Sequence, residues 1–180
     1  MKSTAYGLAE MIALLGINPD SSLDTLVEGR KLIEGQRLRL EELVSRVEGP
    51  DGLTDFRMFI EELDVAIRQR SIGSKAFYDP YSDAFYLNRR GKLSPVHLTP
   101  PERAVLEYLM LHPNERLTFR SIADGAGLKN SKRVSRYIQE IRLKLWDTDP
   151  YQPKYIRIEG GTKDRTYMFI ASQNTSHTPQ

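Results

Sequence analysis

The sequence contains no cysteine, so neither a disulfide nor a thiolate metal site can form in it. Only three histidines are present, His97, His112 and His177, and they are not spaced as metal ligands. No long apolar run occurs: the longest, residues 5–17, is broken by Glu10 and is too short for a bilayer. It has neither a basic leader nor a small-residue cleavage site, so a signal peptide is not expected. No glycine-rich phosphate loop follows a strand; Gly125 and Gly127 close a helix instead. The pairs Glu41-Glu42 and Glu61-Glu62 fall on polar helix faces, where solvation is the plainer reading. With these signatures missing, the chain is expected to have no catalytic residue, no metal and no cofactor, and not to be an enzyme.

What is present is a globular composition, with 39% of 180 residues apolar and 28% charged. That length holds one ordinary domain or two small ones. The net charge of +2 conceals an imbalance. Residues 1–70 carry 9 Lys/Arg against 13 Asp/Glu, whereas residues 71–180 carry 17 against 11. Opposite signs suggest different tasks, the second part facing a polyanion.

The first part reads as helical. Leu8, Met11, Ile12 and Leu15 recur at i, i+3, i+4 and i+7, and their helix stops at Gly16 and Asn18-Pro19. A second helix starts at the Ser21-Ser22 cap and extends to Val47, before Gly49-Pro50. Its apolar residues Leu26, Ile33, Leu40, Leu43 and Val47 follow a rough heptad broken by Gly29 and Gly35. A third helix covers residues 54–70, with Phe56, Phe59, Ile60, Leu63 and Ile67 on one stripe. Helices of this kind are expected to pack for stability or to form a homodimer rather than to sense a ligand. Ile72-Gly73-Ser74 marks the boundary.

Beyond it the period changes. Residues 75–81, 84–88 and 93–98 read as three strands separated by turns at Asp79-Pro80, Asp83 and Arg89-Arg90-Gly91-Lys92. Thr99-Pro100-Pro101-Glu102 opens a helix, with Thr as cap, proline at the first position and Glu at the third. Val105, Leu106, Leu109 and Met110 carry its core face, and His112-Pro113-Asn114 ends it. Thr118 caps a short helix over residues 119–126; a longer one runs from Asn130 or Ser131 to Trp146. Residues 155–158 and 166–170 form a hairpin around a polar turn. The fold expected is α+β. An all-helical domain (residues 1–73) precedes a winged helix-turn-helix (74–171) with a small N-terminal antiparallel sheet and a C-terminal β wing. Residues 172–180 form a tail.

The longer helix carries the chemistry. With Val134 at zero and about 100° per residue, Ile138, Ile141 and Leu145 fall within about 40° of it. Lys132, Arg136, Gln139 and Leu143 lie opposite, beside Glu140; Arg133 and Lys144 flank one side, Ser135 and Arg142 the other. Residues 129–144 hold six basic side chains and one acidic, so the i±4 carboxylates that usually balance such a face are nearly missing. Most cationic faces are merely solvated. Here the element order, and Ser135 and Gln139 set among the cations, favour insertion into a major groove.

These residues also carry a resemblance. Leu98-Thr99-Pro100-Pro101-Glu102, followed by Leu106 and Leu109, is similar to the first-helix motif of the effector domain of OmpR/PhoB-type response regulators. Val134, Ile138, Ile141, Arg142, Lys144 and Leu145 match that family's recognition-helix pattern V-x-x-x-I-x-x-L-R-x-K-L, with Ile for one Leu. Ile156-Arg157, Gly160 and Tyr167-Met168-Phe169 resemble its wing, and the strands before Thr99 resemble its N-terminal sheet. The resemblance implies double-stranded DNA as partner, the third helix in the major groove, the wing tip in the adjacent minor groove, and tandem or paired sites. Carried over by position, Lys132, Arg133, Ser135, Arg136, Gln139 and Arg142 face DNA, and Thr162, Lys163 and Arg165 lie at the wing tip. Thr118, Arg120 and Asn130 are weaker phosphate contacts, with caps and surface residues as the other reading.

Three departures are visible. The link over residues 126–130 is shorter than the loop that in relatives often touches RNA polymerase. The wing turn is longer, and Thr166 stands where a glycine usually precedes the tyrosine. No receiver domain is expected, since seventy helical residues cannot build a five-stranded phosphoacceptor fold. The expectation is therefore a sequence-specific transcriptional regulator, cytoplasmic and nucleoid-associated, homodimeric through its N-terminal helices. RNA polymerase or another protein is a further partner, and no membrane is involved. Two alternatives stay open: a protein-interaction module built on a winged helix, and a nucleoprotein or replication-type DNA binder.

Overall fold

A computed structural model describes residues 17, 21–73, 76–79, 84–89, 92–161 and 164–171. They form a mixed α+β chain with two small antiparallel sheets, divided into two compact units, residues 1–67 and 68–180. The helix expected over residues 8–15 and the tail over 172–180 lie outside the described residues.

In the first unit α1 (Leu23–Gly35) begins where Ser22 Oγ accepts the Thr25 amide at 3.3 Å. It ends at Gln36. Helix α2 (Arg37–Ile72) follows and is interrupted at Gly49, whose φ of +73° is non-helical. The single helix expected as far as Val47 is thus corrected to two. A break resets the helical phase, which moves the buried face. Leu26 and Ile33 are buried, but the next buried side chain is Val44, while Leu43 and Val47 are exposed. On the second stretch of α2, Phe56, Ile60, Leu63 and Ile67 are buried as the periodicity predicts. Arg30 Nε joins α1 to α2 through Asp64 Oδ1 at 2.8 Å.

The last turn of α2 belongs to the second unit, so the division falls before the expected Ile72-Gly73-Ser74 boundary. Ile72 is buried in that unit's core, Ser71 Oγ donates to the Met110 carbonyl at 2.9 Å, and Arg68 lies over the Tyr78 ring. Strands β1 (Ala76–Asp79), β2 (Ala84–Arg89) and β3 (Lys92–Val96) form the first sheet with β2 central. Helix α3 (Pro100–Leu111) opens with the predicted capping box, the Thr99 amide donating to Glu102 Oε2 at 2.7 Å. Then come β4 (Leu117–Thr118), α4 (Phe119–Gly125), a 3-10 turn (Ser131–Arg133), α5 (Val134–Lys144), β5 (Ile156–Glu159) and β6 (Thr166–Phe169).

Helices α3, α4 and α5 pack on one another around Val105, Leu106, Leu109, Met110, Ile122, Val134, Ile138 and Ile141, all essentially inaccessible. Gly125 permits the close approach of α4 to α3, because a Cβ there would fall 2.0 Å from the Tyr108 ring. The second sheet has the order β4-β6-β5, with Ile156 opposite Phe169 and Leu117 opposite Tyr167. Its hairpin turn needs Gly160, since a Cβ there would lie 2.4 Å from the Asp164 carbonyl oxygen. The third strand, β4, is a finding that periodicity could not supply: two residues define no period.

Candidate nucleic-acid interface

Helix α5 is anchored by one apolar edge. Val134, Ile138, Ile141 and Leu145 are 0–2% exposed, which is the stripe their spacing predicts. That anchor turns the opposite edge outward, where Lys132, Arg133, Arg136, Gln139 and Leu143 are all exposed. Lys129, not among the residues singled out from the sequence, is exposed just before them; its only sequence signal is membership of the same cationic run. The side chains of Lys129, Lys132, Arg133, Arg136 and Gln139 form no hydrogen bond or ion pair with any described residue. These five are held open.

Two of the expected contacts on this helix, Arg142 and Ser135, and the flanking Lys144 have partners within the fold. Arg142 has a side chain only 15% exposed, with Nε 3.6 Å from Asp147 Oδ2 and a terminal nitrogen donating to the Asp149 carbonyl at 3.0 Å. Asp147 is itself buried and accepts the amides of Lys154, Tyr155 and Ile156 at 2.6, 3.2 and 2.8 Å. Arg142 thus closes the connection from α5 to β5. Ser135 Oγ is in hydrogen-bond contact with the Tyr167 hydroxyl on β6 and is half-buried. Lys144 Nζ reaches Glu102 Oε2 at 2.6 Å.

The Glu102 carboxyl feels two opposed influences. Its burial favours the neutral acid, but the hydrogen bonds from Lys144 and Thr99 outweigh that and hold its pKa below the ordinary 4.5. At neutral pH the Lys144 ammonium is therefore paired with an ionised carboxylate. Four of the six cations counted along residues 129–144 stay open, all at or before Arg136, while the last turn of α5 presents none.

Thr118 Oγ1 accepts the Ser121 amide at 3.1 Å, and Asn130 Oδ1 accepts the Lys132 amide at 3.0 Å. Both cap helical starts, which is the second of the readings the sequence left open. Arg120 is exposed and pairs with no described residue. Arg165 is half-buried, with Nε enclosed and unpartnered among the described residues. Thr162 and Lys163 lie outside the described residues.

An open groove beside α5 is lined by Thr99, Glu102, Arg133, Arg136, Tyr137 and Glu140. The start of α3 contributes no anion site to it. Pro100 and Pro101 have no N–H, and the capping box uses the Thr99 and Glu102 amides. Charge in the groove comes from the two arginines, opposed by Glu140 and by Glu102, whose carboxylate is paired with Lys144. Among the described residues no group of three His, Asp or Glu could hold a metal, and no helix is long and apolar enough to cross a membrane.

No known family model matches the chain, and no curated protein matches it. The resemblance to OmpR/PhoB-type effector domains rests on the motifs alone.

Proposed function

We propose that residues 68–171 act as a winged-helix domain that binds double-stranded DNA, with α5 as recognition helix and the β5–β6 hairpin as wing, and that the protein is a sequence-specific transcriptional regulator. The observation that carries this reading is the split of α5 into a fully buried apolar edge and an open edge bearing Lys132, Arg133, Arg136 and Gln139. A helix so anchored offers donors to base edges and phosphates without first breaking internal bonds. The order of three mutually packed helices followed by a hairpin supports the same reading.

Roles divide along α5. Arg136 and Gln139 are the base-reading candidates, since arginine pairs bidentately with guanine and glutamine with adenine. Lys129, Lys132, Arg133 and Arg120 neutralise phosphates. Ser135 and Arg142 position the helix through Tyr167 and Asp147. The acidic helical unit is taken as the dimerisation part, where Leu43 and Val47, exposed one turn apart on α2, would supply contacts.

Selection of bound duplexes from a random pool by the full chain tests the reading. Enrichment of a defined motif is expected. Arg136→Ala should lose about 1–3 kcal/mol of discrimination at one guanine of that motif. Recovery of an unenriched pool, or an unchanged motif with Arg136→Ala, would refute it.

A further inference from the structure

The open edge of α5 is not uniform. Its first two turns are cationic and amide-bearing, whereas its last turn is apolar. Leu143 is 59% exposed and lies about 180° from Val134 around the helix axis, at the middle of the face that points outward. It follows Gln139 by four residues and Arg136 by seven, so the three stand in one row along the helix. Trp146 follows one turn later and is 64% exposed.

The residues on either side of Leu143 explain why this end is apolar. Arg142 is turned to Asp147 and Lys144 to Glu102, so the two cations adjacent in sequence are both drawn inward. Trp146 adds a second feature. It has φ of +57°, the left-handed position after a helix that glycine occupies at least cost. There its amide donates to Leu143 O at 3.1 Å and the Asp147 amide to Arg142 O at 2.8 Å. A large aromatic in this conformation carries strain that glycine would relieve. The helix thus presents an apolar pair at the end of a face whose other residues suit DNA.

Resting on the proposed DNA reading, we infer that Leu143 is a specificity-determining residue that contacts the 5-methyl group of a thymine in the major groove, with Trp146 flanking it. The major groove offers one apolar group to a protein, that methyl, and an aliphatic side chain among hydrogen-bonding neighbours is its complement. Continuity with the Arg136–Gln139 row supports this occupant over a protein surface. Guanine and adenine are read by polar side chains upstream on the helix, and thymine by Leu143 downstream. The bound site should accordingly hold an invariant thymine on the side of the guanine read by Arg136 toward which the C-terminus of α5 points.

The test uses the full chain and the duplex it enriches from a random pool, remade with each thymine in turn replaced by uracil, which removes only the methyl. Wild-type protein should lose about fourfold in affinity at one or two of these positions, the effect of one buried methyl-sized group. Leu143→Ala should be indifferent to the same replacement while keeping its sensitivity at the guanine. Its exposed position and the helix propensity of alanine keep that variant folded. Enrichment without any methyl-sensitive thymine, or methyl sensitivity that persists in Leu143→Ala, overturns the inference alone. Loss of self-association in Leu143→Ala, with no uracil effect, assigns the pair to a protein contact and also overturns it. A pool from which wild type enriches nothing overturns the DNA reading together with this inference.

Discussion

The helices of the first unit and α5 of the second both carry many basic residues, yet they dispose of them in opposite ways. In the first unit Arg30 meets Glu34 and Asp64, Lys31 meets Glu28, Arg37 meets Glu34 and Glu41, and Arg46 meets Glu42. Most of these pairs are three or four residues apart on one helix, so positive charge is cancelled where it arises. Arg39 and Arg57 pair with no described residue but stand singly. On α5 and its approach, Lys129, Lys132, Arg133 and Arg136 share one face and form no ion pair with any described residue, even though Glu140 stands four residues after Arg136. A count of cations does not identify a polyanion site. Cations left open side by side on an anchored element are what the proposed DNA reading rests on.

The comparison can be broken by substitutions that separate committed from open charges. The largest effect is expected at Asp147. Replacing it by alanine removes the acceptor of three backbone amides and leaves Arg142 facing a buried void, so chemical denaturation should show a loss of about 3–5 kcal/mol. Arg142→Ala leaves Asp147 its amide donors and should cost about 1–2 kcal/mol in the same experiment. If Arg142→Ala were stability-neutral and DNA binding alone suffered, Arg142 would belong with the open cations after all.

A smaller effect comes from acid. The folded pKa of Glu102 lies below its ordinary 4.5, so its contribution to stability is present above that value and fades as pH falls through the folded pKa. In Lys144→Ala the strongest lowering influence is removed while burial remains. Between neutral pH and the folded pKa of Glu102, the wild-type denaturation midpoint should therefore fall further than that of the variant, which starts less stable and varies less with pH over this window. Coincident profiles would show that the Lys144–Glu102 pair does not neutralise the end of α5. The smallest effect is expected for Arg46→Ala, an exposed i,i+4 pair on α2, at about 0.5 kcal/mol or less of stability and no change in DNA affinity.

Much of the second unit was legible in sequence because its signals are local. The Thr99–Glu102 capping box, the buried edge Val134–Ile138–Ile141–Leu145 and the paired runs around Gly160 each depend on residues within a few turns of one another. What was not legible depends on partners at a distance. Lys144 looks like a groove cation until Glu102, forty-two residues earlier, is brought to it. Ser135 looks equally available until the chain folds back to place Tyr167 beside it, whereas Arg142 is only five residues from its partner Asp147 and meets it through the left-handed turn at Trp146, which no helical period predicts. In the first unit the heptad Leu26, Ile33, Leu40, Leu43 and Val47 assumed one continuous helix. The turn at Gln36 shifts the phase and leaves Leu43 and Val47 outside.

The most direct test of the account is the salt dependence of affinity for the enriched duplex, measured for wild type and for a Lys132→Ala, Arg133→Ala, Arg136→Ala triple variant. Each phosphate neutralised contributes about −0.9 to the slope of log affinity against log salt. The variant is expected to keep the wild-type denaturation midpoint while binding more weakly, with a slope flatter by about two units for the phosphate contacts of Lys132 and Arg133. A folded triple variant with wild-type affinity and slope would contradict the claim that the open edge of α5 engages the duplex.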